Sequence, residues 1–207
     1  MSRGTARPQA SISEPYLLFL ALAGAGVATL PLGQPARLAV LFVALGALAM
    51  YYRSAHEVEL RFSAKALGRG ALLGLVISLP ILAFLPEQLR QFNERLYGTT
   101  DAVMLFYQAC LVPAPLEELF FRGIVATGDS PSASVGLYAL TGLIYFLPHA
   151  PVLALATVAL AMGLLGIVYS YVHENHGLAA AIACHVVVAF VLQVWPSLMG
   201  SLRTIFG

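Results

Sequence analysis

Seven apolar runs follow one another along this chain of 207 residues, with only short polar joints between them. A run of about 20 apolar residues crosses the hydrocarbon core as a helix, which satisfies its own backbone hydrogen bonds in lipid. The runs are 15–33, 36–52, 68–86, 102–126, 132–149, 151–172 and 177–199. The sequence therefore predicts an all-α, polytopic transmembrane bundle of about seven spans, and its length allows six to eight.

Composition supports the membrane and excludes one class of partner. Hydrophobic residues make up 59% of the chain and charged residues 10%, whereas a soluble domain has about 25% charged residues. The net charge of +1 offers no basic surplus for phosphates, so we expect the lipid bilayer and no nucleic acid as a partner. Cys110 and Cys184 lie within apolar runs and are interpreted as buried hydrophobes rather than a disulfide or metal site.

The charged joints predict an orientation and an organisation. Basic residues cluster at Arg3, Arg7, Arg53, Arg61, Lys65 and Arg69, which predicts that these segments face the cytoplasm. Segment 87–98 places apolar residues at helical spacing among charges, which is typical of a helix lying flat on the opposite membrane face. The predicted parts are a cytoplasmic tail over 1–14, membrane helices with the interfacial segment over 15–101, a catalytic core over 102–199, and a C-terminal tail over 200–207.

Two adjacent carboxylates and an arginine interrupt the fourth run. Each charge at membrane depth costs about 2.5 to 3.5 kcal/mol even on the most lenient scale, which favours a functional role. Glu118 and Arg122 are four residues apart in the favourable order and are expected to pair along one helix face. Glu117 points about 100° away and has no such partner. Carboxylates in apolar pockets have raised pKa values and can act as general bases near neutral pH, so Glu117 is the candidate base.

Two histidines complete a candidate site. His149 follows Tyr145 by four residues at the end of the fifth run, and His185 lies inside the seventh. A base, a histidine that orients water and a histidine that donates to an oxyanion suffice to hydrolyse an amide without a covalent intermediate. The cluster His173–His176 is interpreted as a solvated turn, and Trp195 and the tyrosines other than Tyr145 as anchors at the membrane interface.

In these residues the chain resembles the CAAX prenyl endopeptidase and bacteriocin-processing family, also called the ABI family, of intramembrane glutamic proteases that need no metal. The family motifs are Glu-Glu-x-x-x-Arg, then Phe-x-x-x-His, then His-x-x-x-Asn. Glu117, Glu118 and Arg122 match the first motif, and His149 matches the second with Tyr145 in place of phenylalanine. His185 matches the third motif, but Ala189 stands where the family has asparagine. The resemblance covers about residues 102–195.

The resemblance implies a function as well as a fold. It implies an intramembrane endopeptidase in which Glu117 and His149 activate water, His185 stabilises the oxyanion, and Glu118, Arg122 and Tyr145 support them. No cofactor is expected. The implied substrate is a membrane-anchored protein or peptide that is prenylated or ends in a C-terminal sorting helix, and the expected location is a prokaryotic cytoplasmic membrane. Ala189 removes one oxyanion donor, which can cost about 10²- to 10³-fold in rate unless another group substitutes for it.

Two other functions fit the same residues. Glu117, Glu118, His149 and His185 have the oxygen and nitrogen donors that zinc prefers, which would make the chain a zinc-dependent membrane protease. The buried acids and histidines could also belong to a proton-coupled carrier or a non-catalytic membrane scaffold. Polar residues are concentrated on three helices instead of forming a path across many, and this favours a catalytic pocket.

The predicted topology separates two of the candidate residues. Glu117 lies in the cytoplasmic half of its span, whereas His149 lies near the opposite face. Pro148 and Pro151 are expected to break the helix there into a re-entrant corner. The hypothesis of a single site requires Glu117, His149 and His185 to share one pocket.

Overall fold

The computed structural model of the protein describes residues 14–55, 62–128 and 130–206, and all regular structure in these ranges is helical, as predicted. Arg3, Arg7 and Arg61, on which the predicted orientation partly depends, lie outside the described residues. Four helices form the N-terminal half. They are α1 (Glu14–Ala28), α2 (Gln34–Ala55), α3 (Ala64–Phe84) and α4 (Pro86–Tyr97).

Four further helices form the C-terminal half, and two of them change their winding along their length. Helix α5 consists of α-helical Ala102–Leu105, π-helical Phe106–Leu111, α-helical Pro113–Glu118, π-helical Leu119–Val125 and α-helical Ala126–Gly128. Helices α6 (Pro131–Phe146) and α7 (Val152–His176) follow, and α8 consists of α-helical Leu178–Ala189, π-helical Phe190–Val194 and α-helical Trp195–Phe206. Turns of π-helix are rare in proteins, and those that occur are often found at functional sites. Their presence in α5 and α8 therefore suggests that these two helices carry a functional site.

The seven apolar runs correspond to seven of these helices. Within the described ranges, α2, α3, α5, α7 and α8 each contain a stretch long and apolar enough to cross a membrane, while α1 and α6 are shorter apolar helices. The predicted amphipathic helix is α4, which exposes Glu87 and Glu94 and buries Asn93, Leu96 and Tyr97. The chain is thus built as an integral membrane protein.

Local sequence signals explain where the helices begin. The Asp101 side chain accepts a hydrogen bond from the Met104 amide, and the Ser130 side chain accepts one from the Ala133 amide with Pro131 as the first helical residue. These are the usual ways of satisfying amides at a helix N-terminus.

Two helices are longer than predicted. Helix α7 continues through His173–His176, so the interpretation of this cluster as a solvated turn is wrong; Gly177, with φ of 86°, ends the helix instead. His173 and His176 are half-buried, while Glu174 and Asn175 are exposed. Helix α8 continues to Phe206, so most of segment 200–207, predicted as a tail, is helical.

Helix α8 packs most closely against α3, and two glycines permit the approach. A Cβ atom placed on Gly70 would lie 2.0 Å from the Ala180 carbonyl oxygen, and one on Gly74 would lie 2.8 Å from the Cys184 carbonyl oxygen. Small residues allow membrane helices to bring their backbones together in this way. Since Cys184 adjoins His185, this contact also fixes the position of a candidate site residue.

Replacing Gly70 by alanine is expected to destabilise the protein by about 1–3 kcal/mol, because the new methyl group overlaps the α8 backbone. Gly68→Ala is the matched control, since a Cβ atom there meets nothing within 4 Å. Thermal unfolding in detergent should show a lower melting temperature for Gly70→Ala and an equal or higher one for Gly68→Ala. Equal melting temperatures would contradict the close contact.

Candidate active site

The two adjacent glutamates lie at the end of a short α-helical segment inside α5. Pro113 begins this segment, where its missing N–H is tolerated, and the π-helical turn starts directly after Glu118. Both carboxylates are buried. They therefore lie at the level where the winding of α5 changes, facing α8.

Glu118 is held on two sides. Its Oε1 atom lies 3.4 Å from Arg122 Nη1, which is the predicted pair along the helix, and 2.9 Å from His185 Nδ1. Arg122 is fully buried, donates through Nη2 to the Gly166 carbonyl at 2.9 Å, and lies with its guanidinium 4.5 Å from the centre of the Tyr138 ring. Glu118 is thus bonded to both Arg122 and His185 and anchors the cluster.

Glu117 is differently placed. Its basic neighbour is His185, whose Nε2 atom lies 3.8 Å from Glu117 Oε2, a separation too long for a direct hydrogen bond. The structure therefore brings Glu117 and His185 together, as predicted. Among the described residues, this longer contact to His185 is the one ion-pair contact of the Glu117 carboxylate.

The imidazole of His185 is fixed in orientation. It stacks on the Tyr169 ring at a centroid distance of 4.5 Å and an interplanar angle of 19°. With Nδ1 directed at Glu118, the Nε2 atom faces Glu117 and the Tyr138 hydroxyl, which lies 3.4 Å away. This arrangement resembles the carboxylate–histidine pairs in which one ring nitrogen is held and the other is left for chemistry.

Two tyrosines of α6 point into the same place. The hydroxyl groups of Tyr138 and Tyr145 lie beside the Glu117 carboxylate and interact with it. Tyr138 and Tyr169 are buried in the core, so their interpretation as interface anchors is wrong. The seven-residue spacing of Tyr138 from Tyr145, which puts both on one helix face, is the sequence signal that would have identified Tyr138.

His149 lies apart from these groups. It is exposed, and its Nε2 atom lies 3.0 Å from the carbonyl oxygen of Leu32 in the α1–α2 connection. It does not line the cavity that contains Glu117 and His185. The expectation that Glu117, His149 and His185 share one pocket is therefore wrong for His149, and the water-activating role implied for it has no geometric support here.

Proline explains why His149 is displaced. In a continuous helix His149 would lie one turn beyond Tyr145, but α6 ends at Phe146. Pro148 has no N–H to continue the helix and disfavours a helical conformation at Leu147, which is extended with φ −72° and ψ 139°. The predicted break at Pro148 thus occurs, and it directs His149 away from the site.

The end of α6 is also held from outside. Gln34 Nε2 donates to the Tyr145 carbonyl at 3.2 Å, and buried Arg37 donates to the carbonyls of Gly26 and Ile144. These bonds satisfy carbonyl groups that have no partner at a helix C-terminus. They fix the last turn of α6, from which the Tyr145 side chain reaches Glu117.

A cavity of about 170 Å³ extends from Glu117 and His185 towards α4. Most of its wall is apolar, and Ala189 contributes a methyl group where the family has an asparagine. Its polar lining consists of Asn93, Tyr97, Gln108, Glu117, Tyr138, Tyr145, Tyr169, His185 and Gln193. Such a wall suits a mostly apolar ligand that is oriented by a few polar contacts.

The formal charges of the cluster do not cancel. Glu117, Glu118 and Arg122 together have a charge of −1 when both carboxylates are ionised, and an uncompensated charge at membrane depth is costly. The cluster therefore favours a group beside Glu117 that donates a hydrogen bond to it.

Metal binding was the alternative suggested by the donor set. Among the described residues, no three His, Cys, Asp or Glu side chains are arranged to hold a metal ion. Of the four residues considered for zinc, His149 is the one that lies apart. The expectation that the protein needs no cofactor stays a prediction.

Residues 99–191 match the family model described as type II CAAX prenyl endopeptidase, Rce1-like. This segment is similar to the Rce1-like proteases. The family resemblance identified in the sequence is thus confirmed over a range somewhat shorter than half of the chain, and it indicates a membrane endopeptidase. The Rce1-like segment includes α6, α7 and the parts of α5 and α8 that bear Glu117, Glu118, Arg122 and His185. No curated protein and no solved structure matches the chain.

Proposed function

We propose that the protein is an intramembrane endopeptidase of the glutamate type, which hydrolyses a peptide bond near the C-terminus or membrane segment of a membrane-associated protein or peptide. The observation that supports it most is the contrast between the two glutamates. Glu118 is bonded to Arg122 and His185, whereas Glu117 lines the cavity and lies 3.8 Å from His185 Nε2, beyond direct hydrogen-bond distance. A carboxylate that is not held in a close ion pair, and that lies beside an imidazole of fixed orientation, can accept a proton as a general base.

In the proposed reaction a water molecule binds beside Glu117. The carboxylate takes one proton from the water as its oxygen bonds to the substrate carbonyl carbon, and the electron pair of the C=O double bond moves to the oxygen. When this tetrahedral intermediate collapses, the C–N bond breaks and the leaving nitrogen takes the proton from Glu117. The products are a carboxylic acid and an amine, and Glu117 returns to its starting state.

His185 is the proposed donor to the oxyanion. With Nδ1–H directed at Glu118, a second proton on Nε2 would point towards the carbonyl oxygen of a substrate near Glu117. The hydroxyl groups of Tyr138 and Tyr145 are further donors beside Glu117. They offer a replacement for the donor that is lost through Ala189, since oxyanion stabilisation depends on pre-positioned donors and not on one residue type.

The resemblance supplies the substrate classes to test. Membrane-anchored peptides with a prenylated C-terminus and peptides with a C-terminal sorting helix should be offered to purified protein, with and without a chelator, and products identified by mass spectrometry. Cleavage that resists the chelator supports the proposal. Cleavage abolished by the chelator and restored by zinc would favour the zinc-dependent protease, and no cleavage of any peptide would favour the scaffold or carrier. Location in a prokaryotic cytoplasmic membrane stays a prediction.

A further inference from the structure

The cavity has a second group of polar side chains, away from Glu117. Gln108 lies in the first π-helical segment of α5 and Gln193 in the π-helical segment of α8, and these two segments pack against one another. Both glutamine side chains line the cavity that contains Glu117. The proposed reaction uses neither of them.

The side-chain amides of Gln108 and Gln193 do not use all of their hydrogen-bonding groups. The Oε1 atom of Gln108 is buried and has no hydrogen-bond partner in the described ranges. Gln193 accepts a hydrogen bond from the Tyr97 hydroxyl at 3.2 Å through its Oε1 atom, which leaves its Nε2 group as a donor. A buried acceptor without a partner destabilises a protein, so Gln108 Oε1 favours a ligand in the cavity that donates a hydrogen bond to it.

Neighbouring residues fix this arrangement. Buried Asn93 of α4 donates to the Leu192 carbonyl at 2.9 Å and to the Gln193 carbonyl at 3.1 Å. Both carbonyls belong to the π-helical turn of α8, and their bonding to Asn93 holds the turn from which the Gln193 side chain extends. The amphipathic helix α4 thus closes this end of the cavity and positions its polar groups.

We propose that Gln108 and Gln193 form a binding site for the main chain of the substrate peptide. One side chain offers an acceptor and the other a donor, which complements the N–H and C=O of a peptide group. The proposal deepens the proposed function, since it concerns the same cavity and a peptide ligand. No lysine or arginine lines the cavity among the described residues, so the site takes a neutral peptide group and not a terminal carboxylate.

The helices also set the distance between the two glutamines and the residues proposed for catalysis. Gln108 precedes Glu117 by nine residues on α5, and Gln193 follows His185 by eight on α8. At about 1.5 Å per residue this is a separation of roughly 12–14 Å along the helices. An extended peptide advances about 3.3 Å per residue, so the bound peptide group lies about four residues from the bond that is cleaved.

The test measures binding, so that it does not depend on catalysis. A fluorescent, palmitoylated decapeptide of alternating alanine and leucine is titrated in detergent micelles against protein carrying Glu117→Gln, which removes the proposed base. Adding Gln108→Leu or Gln193→Leu is expected to raise the Kd about tenfold, the usual effect of one hydrogen bond in an apolar site. Gln91→Leu is the matched control, because Gln91 is exposed on α4 and bonded to Glu87.

Two modified probes identify what is bound. Replacing successive peptide N–H groups by ester oxygens should raise the Kd about tenfold at one position, and that effect should be lost in Gln108→Leu. Probes with a C-terminal carboxylate or amide should bind equally. Unchanged binding in both glutamine variants, no binding at all, or a several-fold preference for the carboxylate would overturn the proposal.

The melting temperature of the free protein separates a binding role from a structural one. Gln108→Leu removes an unpartnered acceptor and should leave the melting temperature unchanged or raise it, while a purely structural glutamine would lower it on removal. If Glu117→Gln abolishes cleavage and the glutamine variants bind normally, the peptidase stands and the amide site fails. If the glutamine variants lose binding and no peptide is cleaved, the site stands and the peptidase fails.

Discussion

Glu117→Gln is expected to lower the rate of peptide cleavage by at least about 10²- to 10⁴-fold, the usual contribution of a general base. Glutamine keeps the shape of the side chain but cannot take a proton from water. The melting temperature should change little, because the amide oxygen can still accept from Tyr138 and Tyr145 and His185 Nε2 lies 3.8 Å away, too far for a direct hydrogen bond. Single-turnover cleavage of a membrane-anchored peptide and thermal unfolding in detergent measure the two quantities.

Glu94→Gln is the matched control for this substitution. Glu94 is exposed on α4 and does not line the cavity, so the same change of carboxylate to amide should leave cleavage unaffected. If Glu117→Gln retains activity within tenfold of the unmodified protein, Glu117 is not the base. The role would then have to be reassigned within the cavity.

Arg122→Met is expected to destabilise the protein by about 3–5 kcal/mol, which is typical when one partner of a buried ion pair is removed. Arg122 and Glu118 are both fully buried, and the arginine also donates to the Gly166 carbonyl. Its loss would leave the Glu118 charge compensated only by His185. Adding Glu118→Gln to Arg122→Met should recover part of the stability, since it removes the uncompensated charge.

The exposed pair on α4 provides the comparison for Arg122. Arg90 and Glu87 are closer, at 2.6 Å, but both are partly open to solvent. Arg90→Met should therefore change the melting temperature little, because solvent screens exposed ion pairs. A larger loss for Arg90→Met than for Arg122→Met would contradict the assignment of Arg122 to a buried, supporting role.

The number of helices and one part of the site follow from local rules. Apolar length predicts each span, and capping residues such as Asp101 and Ser130 predict where helices begin. The four-residue spacing of Glu118 and Arg122 predicts their pairing, because neither residue depends on how distant helices pack. These features could be derived from sequence since each is decided within a few neighbouring residues.

The remaining features depend on departures from a regular helix. The spacing of Tyr145 and His149 predicts a shared face only if the helix continues, and Pro148 ends it first. Gln108 and Gln193 lie in π-helical turns, which contain more residues per turn than an α-helix and so alter the face that a given spacing predicts. No pattern of apolar residues indicates where such turns occur. The position of Gln108 and Gln193 in the cavity therefore cannot be predicted from the sequence.

We infer that catalysis depends on the residues that the fold brings together and not on every residue of the motifs. His185→Gln and His149→Gln make the same change at two histidines that match family motifs. His185 lies between Glu117 and Glu118, whereas His149 lies at the Leu32 carbonyl. The measurement is the cleavage rate of the two variants on one membrane-anchored peptide. We predict a loss of at least about 10²-fold for His185→Gln, as for removal of an oxyanion donor, and less than a fewfold loss for His149→Gln. Loss of cleavage in His149→Gln, with an unchanged melting temperature, would show that His149 takes part in catalysis.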